Sequence, residues 1–291
     1  MSPPTQTLPP PQPPTTPQKI KPTLSGPQAT ALIAVYCRHL ESQLEFPLLN
    51  DKLAGEIVSK IDYNFANLKV GGSTVNILGI RGSFLDNWTR DFVSRHPRST
   101  IIHLACGLDT RAHRLDCGGE GVRWIDVDLP DVVDLRRQVV PDPPGERDYT
   151  LLAGSATDGE FIRSLPNDRP TLVVMEGLAP YLVPGEGEGM IRTICEHFKR
   201  GEIIAEVINW LTVTLQWVLG YLKQTDAAVI WGIDDSKALE RLYEGLELVD
   251  EVPVCSLDGV AGCPVTGRVV WWLTSWFSFS RNALRFVRYV F

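Results

Sequence analysis

Gly107, Asp126, Asp128 and Glu176 are the residues whose types and spacing could do chemistry in this chain. Residues 100–107 form a short, mostly apolar run that stops at a glycine, and Leu108-Asp109-Thr110-Arg111 follows with turn and cap residues. Residues 122–128 then end on two acids spaced two apart, before Leu129-Pro130. Gly107 lets a ligand approach the backbone with no Cβ in the way. Asp126 or Asp128, about 20 residues further on, can accept hydrogen bonds from both hydroxyls of a ribose. A helix beginning after the turn would aim its amide donors at an anionic group. A buried strand, a glycine turn, a connecting segment and a second strand ending in a carboxylate describe the first half of a nucleotide-binding α/β sheet.

The turn also says which ligand fits. A dinucleotide fold wants Gly-x-Gly-x-x-Gly, and Ala105 and Thr110 stand where two of those glycines would be. That argues against a pyrophosphate, which needs the closest backbone approach. A ligand with an adenosine and no phosphates tolerates the substitutions, and S-adenosylmethionine is such a ligand. A nicotinamide-dependent oxidoreductase shares the expected fold but wants the missing glycines.

Three blocks carry a resemblance. His103-Leu-Ala-Cys-Gly-Leu-Asp-Thr-Arg-Ala-His-Arg-Leu115, Trp124-Ile-Asp-Val-Asp-Leu-Pro-Asp-Val132 and Met175-Glu-Gly-Leu-Ala-Pro-Tyr-Leu182 resemble the leucine carboxyl methyltransferase family in order and spacing. Within it, the likeness is to the branch of polyketide-pathway O-methyltransferases, and it spans roughly residues 24–252. Ala105 departs from the glycine usual there. The resemblance implies an α/β, Rossmann-like class I methyltransferase with a mostly parallel sheet, helices on both faces and an N-terminal helical lid. It implies S-adenosyl-L-methionine as cofactor and a small metabolite as substrate, with methylation of a protein C-terminal carboxylate as the alternative. The cofactor residues it implies are Arg81, Ala105, Gly107, Asp128, Ser155, Ala156 and Glu176. In that reading Asp128 holds the ribose, Ser155 and Ala156 touch the adenine, Arg81 pairs the methionine carboxylate and Glu176 accepts from its ammonium. No catalytic residue and no metal are assigned.

The elements that must position these residues follow from periodicity. Residues 28–39 are helical in character, with Leu32, Val35 and Tyr36 on one face, and residues 50–61 repeat the pattern with Leu53, Ile57, Val58 and Ile61. Arg38 reads as a surface salt bridge, or as a residue near the pocket. Residues 70–74 read as a flexible turn, and Arg81 opens a helix running to about residue 95. Strands are expected at 100–106, 122–128, 149–155, 171–176 and 202–208, with helices at 131–139, 161–165 and 187–199. A helix at 236–244 and a sixth strand at 246–252 follow. Strands alternating with helices imply a parallel sheet, whose ligands bind outside the carboxyl ends of the strands. Gly107, Asp128, Ser155 and Glu176 fall at such ends.

Composition bounds the rest. The 291 residues, 44% of them apolar, suffice for one large domain. Residues 1–23 are rich in proline, which leaves a disordered tail or a ligand for a proline-recognition domain. Residues 24–291 then make one methyltransferase domain: a lid at 24–98, a cofactor-binding core with its cap at 99–255 and an extension at 256–291. The stretch 209–232 holds Trp210, Trp217 and Trp231, as core packing or as a cap over an apolar substrate. Residues 268–291 carry Arg268, Arg281, Arg285 and Arg288 beside Trp271, Trp272, Trp276 and Phe277, and read as a docked strand or helix, or as a membrane-surface segment. A net charge of −7 argues against nucleic acid. No run is long enough to span a membrane, no signal peptide opens the chain, and six cysteines without a framework point to a reducing, cytoplasmic setting. Of the five histidines, only His39 in the lid could be brought over a sulfonium, so a carboxylate acceptor needing no base is expected. Oligomeric state is left open.

Overall fold

Seven strands among the described residues form one sheet: β1 (Ser99–Leu104), β2 (Val122–Asp128), β3 (Asp148–Ala153), β4 (Thr171–Met175), β5 (Gly201–Ile208), β6 (Glu247–Pro253) and β7 (Leu284–Val290). The computed structural model describes residues 18–115, 121–216, 225–256 and 281–291. The proline-rich residues 1–17, Trp217, Arg268, Trp271, Trp272, Trp276 and Phe277 lie outside the described residues. The strand order is β3-β2-β1-β4-β5-β7-β6. The first five strands run parallel, and β7 is antiparallel to both its neighbours. The chain winds outward from β1 in both directions, so the switch in strand order falls between β1 and β4. A crevice for ligands opens at such a point.

Both faces of the sheet are covered. The helices are α1 (Thr30–Glu41), α2 (Lys52–Lys60), α3 (Gly72–Arg95), α4 (Arg111–Arg114), α5 (Pro130–Val139), α6 (Gly159–Ser164), α7 (Pro184–Phe198) and α8 (Trp210–Thr214). On one face Ile102, Val173 and Ile203 pack with Ile162 of α6 and with Met190, Ile194 and Phe198 of α7. On the other Ile101, Leu172 and Ile204 pack with Ile80, Leu85 and Phe92 of α3. Burial on both sides is why the central strands β1, β4 and β5 read as largely apolar runs. Every fully buried side chain of this size contributes about 1.5–3 kcal/mol. A third cluster joins α1, α2 and α5 over Leu108, and so seats the N-terminal helices against the turn after β1.

Three expectations need correcting. The helix that carries Arg81 starts at Gly72, with Gly71 as its N-cap, so residues 72–74 are helical and Arg81 sits in mid-helix. Two further glycines within this helix allow close packing. A Cβ at Gly79 would lie 2.7 Å from Glu41 Cγ, and one at Gly82 would lie 2.9 Å from Leu49 Cδ2. The segment 236–244 is a 3-10 helix, Ser236–Leu242, started by Asp235 accepting from the Lys237 N–H. Finally, order extends into the expected tail: the Ile20 N–H donates to Lys60 O at 2.8 Å, and the Asp62 N–H donates to Ile20 O at 2.7 Å.

Candidate cofactor site

The turn after β1 is built from two left-handed residues, Ala105 at φ 53° and Gly107 at φ 54°. Glycine adopts this conformation freely, whereas alanine bears strain. The Cys106 N–H donates to Val127 O at 3.0 Å and ties the turn to β2. Asp128 completes the tie. One of its carboxylate oxygens accepts from the Gly107 N–H at 2.6 Å, the other from the Leu129 N–H at 2.8 Å. Each oxygen keeps capacity for a second donor. Burial pushes the Asp128 carboxyl above its ordinary value, and the two amide bonds work against that rise.

Asp126 does something else. Its oxygens take Arg136 Nη2 at 2.6 Å, Trp124 Nε1 at 2.7 Å and the Tyr149 hydroxyl at 2.9 Å. Burial opposes its charge, but Arg136 and then His103 outweigh that and bring the carboxyl down to about 2. Arg136 also donates to the carbonyls of Gly107 and Asp109. Asp126 therefore braces the turn from behind, and Asp128 faces the cleft.

Glu176 follows β4 and gathers three guanidiniums. Its Oε1 accepts from Arg38 Nη2 at 2.8 Å and from Arg81 Nε at 3.0 Å, while Oε2 accepts from Arg111 Nη2. Burial would raise its pKa, yet Arg111, then Arg81 and Arg38, hold it well below the usual carboxylate range. Asp109 is gripped similarly. It accepts from Arg38 Nη2 at 2.8 Å and Arg114 Nη1 at 2.5 Å, and Arg114, Arg38 and Arg111 hold it low against the cost of burial.

These groups line one cleft of about 370 Å³ at the carboxyl ends of β1, β2, β3 and β4. That volume is within the range of small-molecule sites. Arg81, Ala105, Gly107, Asp128, Ser155, Ala156 and Glu176 all line it, as do Asp109, His103, Gly177 and Tyr181. Ala31 of α1 covers the turn, its Cβ 3.4 Å from where a Cβ of Gly107 would stand.

Two sequence readings of single residues change. Arg38 is not a surface residue: it is 4% exposed and lines the cleft. Its signal was helical spacing, since it continues the stripe of Ala31, Ala34 and Val35 that α1 turns inward. His39 does not reach the cleft. Its ring lies beside Gly55 of α2, and its Nε2 is 3.2 Å from Gln43 Nε2. His103 does line the cleft, but its Nε2 lies 3.3 Å from Arg111 Nη1. A guanidinium can only donate, so that lone pair is engaged.

Residues 31–195 match the leucine carboxyl methyltransferase family. The chain belongs to that family. Among its relatives, the Streptomyces glaucescens tetracenomycin polyketide synthesis O-methyltransferase TcmP is 35% identical over 228 residues, covering 78% of this chain and 83% of the relative. An S-adenosyl-L-methionine-dependent methyltransferase of Gibberella zeae, dpfgK, is 35% identical over 246 residues, covering 79% and 83%. The fold is shared with a DUF574 family protein of Streptomyces avermitilis at 12% identity and a TM-score of 0.56, covering 89% of this chain and 96% of that one. This family member is an S-adenosyl-L-methionine-dependent methyltransferase, and the nicotinamide-dependent oxidoreductase alternative falls away. Its cleft suits the cofactor: Asp128 offers acceptors for two hydroxyls, and the left-handed turn presents bare backbone. No helix among the described residues is long and apolar enough to cross a membrane.

Proposed function

We propose that the enzyme methylates an oxygen of a small, polyketide-type metabolite, a carboxylate in preference to a hydroxyl. The observation that carries the reading is the convergence of Gly107, Asp128, Glu176, Arg38 and Arg81 on one cleft at the strand-order switch. The 35% identity to an enzyme named for O-methylation in polyketide synthesis supports the substrate class.

S-adenosylmethionine supplies an electrophilic methyl group on a good leaving group. The chain's task is to orient the reactants and exclude water. Asp128 accepts from the ribose hydroxyls, and Ser155 with Ala156 lies on the adenine side. Arg38 and Arg81 receive the amino-acid carboxylate, a role for which guanidinium is suited. Glu176, shared by three arginines, sets their positions, and its own charge is already neutralised toward any ammonium. Ala31 and the rest of α1 close the cleft from above.

A carboxylate acceptor is ionised at neutral pH and needs no base. Among the described histidines, the one that lines the cleft has its lone pair engaged by Arg111, which favours that acceptor over a hydroxyl. We take residues 24–291 as one domain, with residues 18–23 contributing through Ile20. Buried Cys37, Cys106 and Cys195, all unpaired, support a cytoplasmic setting. A net charge of −7 speaks against nucleic acid as a partner.

The test is transfer of labelled methyl to aromatic polyketide acids and to matched phenols lacking the acid. Methyl transfer to the acids alone, giving an ester that releases methanol in base, is expected. Base-stable ethers from both sets would establish a hydroxyl acceptor, and no transfer to either would remove the substrate class.

A further inference from the structure

Glu206 is a buried acid that the reading above does not use. It lies on β5, is 4% exposed, and is paired through the backbone with Phe286 of β7. Its Oε1 accepts from Arg81 Nη1 at 3.0 Å, and its Oε2 has no hydrogen-bond partner among the described residues. Burying a carboxylate is costly unless it is paired and fully bonded. Burial accordingly pushes the Glu206 carboxyl up, and Arg81 is the first group that pulls it back. An apolar residue would fill a core strand at lower cost.

Geometry shows what the acid does. Arg81 Nε is held by Glu176 at 3.0 Å and Nη1 by Glu206 at 3.0 Å. Two carboxylates on different nitrogens of one planar guanidinium fix both its plane and its rotation in that plane. Glu176 alone holds a single donor of the fork, Nε. Gly177, at φ 69°, passes beside that fork: a Cβ there would lie 3.7 Å from both terminal nitrogens of Arg81 and 3.9 Å from Glu206 Oε1. Arg81 and Gly177 both line the cleft, and Glu206 stands behind them.

We infer that Glu206 is a positioning residue that orients the Arg81 guanidinium toward the carboxylate of the cofactor's amino-acid end, reaching the ligand only through Arg81. The inference rests on the proposed reading that Arg81 meets that carboxylate. It assigns β5 a part in cofactor recognition, although β5 sends no side chain into the cleft.

The experiment compares two probes on the full chain by calorimetry. S-adenosylhomocysteine carries the amino-acid end, and 5′-methylthioadenosine lacks it. Glu206→Gln keeps the shape and an acceptor but removes the charge. It should weaken S-adenosylhomocysteine about tenfold and leave methylthioadenosine within about twofold, as loss of one charge-assisted bond predicts. The KM for S-adenosylmethionine should rise while kcat stays close to wild type. Arg81→Met, measured alongside, separates the two ideas. If Arg81→Met erases the preference for S-adenosylhomocysteine and Glu206→Gln does not, the positioning role is wrong and the site reading stands. If neither changes it, the site reading itself is wrong. Equal weakening of both probes by Glu206→Gln would mark the acid as merely structural and overturn the inference. Should Glu206→Gln not fold, Glu206→Asp withdraws the carboxylate from Nη1 while keeping its charge, and the same selective loss is expected.

Discussion

Arg38 on the lid helix α1 reaches Glu176 at the end of β4, its Nη2 2.8 Å from Oε1 across 138 residues of chain. The pair joins the helix that covers the cleft to the strand that floors it. Replacing Arg38 with Met should therefore loosen the lid and empty part of the cofactor's anion site together. Asp109 keeps Arg114, and Glu176 keeps Arg81 and Arg111. A loss of about 3 kcal/mol is expected, the low end for breaking a buried pair. Urea unfolding would show it, and affinity for S-adenosylhomocysteine should fall in the same variant. Unchanged values for both would mean the lid is held by apolar packing alone.

Asp128 and Asp126 should separate cleanly. Asp128→Ala should weaken cofactor binding by roughly 2–4 kcal/mol, the worth of two hydrogen bonds that its carboxylate accepts from the ribose. Asp126→Ala should instead lower stability, because Arg136 would be left buried beside Trp124 and Tyr149 without its acid. Calorimetric binding and thermal unfolding on both variants check the division. Equal binding by wild type and Asp128→Ala would remove Asp128 from the site.

Acid should attack the same network. Asp126 titrates at about 2 in the folded protein against an ordinary 3.8. A depressed carboxyl contributes stability above its unfolded value and loses it as pH falls through the folded one. About 2 kcal/mol should therefore disappear between roughly pH 4 and pH 2. Glu176 and Asp109, both held well below the usual range, add to the loss on the acid side. Unfolding free energies followed from pH 5 downward should show a shallower fall for Asp126→Asn than for wild type.

Much of this was legible in one dimension, and the failures have physical causes. β1, β2, β4 and β5 announce themselves because strands buried on both faces are largely apolar runs ending at turn residues, whereas β3 at the sheet edge is partly exposed. Six of the seven cofactor candidates lie at or just after strand ends, where sequence position fixes spatial position. Arg81 sits in mid-helix and came from the resemblance; all seven line the cleft. For Arg38 helical spacing signals the inward face but not the partners, Asp109 and Glu176, which stand 71 and 138 residues away. The start of α3 was missed because Gly71 and Gly72 read as a turn, whereas Gly71 is the helix N-cap and Gly72 its first residue.

Ala105 is a departure whose consequence can be weighed. At φ 53° it bears a cost that glycine would not. Ala105→Gly should raise stability by about 0.5 kcal/mol, strain relief being partly offset by the freer unfolded chain. A rise of a degree or two in Tm is the readout. A fall would mean that the Ala105 methyl is worth more in packing than its backbone costs.

The tail has a testable edge. A chain beginning at Gln18 keeps the bonds of Ile20 to Lys60 and Asp62, whereas one beginning at Leu24 loses them. The first should match the full chain in Tm, and the second should melt lower. Identical melting of the two would make the Ile20 bridge dispensable.

The position of β7 sets a timetable for the molecule. Ile208 at the end of β5 is paired with Leu284, and β7 also separates β5 from β6. As the chain leaves the ribosome, β1 to β5 can assemble in order, but β5 then waits as an open edge. Its residues are almost all buried in the finished sheet, so the waiting edge, apolar but for Glu202 and Glu206, is ready to pair with another strand. Only when residues 284–290 emerge is that edge closed from within. The burial of Glu206 between its flanking strands is therefore among the last events of synthesis, and full recognition of the cofactor should lag behind assembly of the nucleoside half of the site.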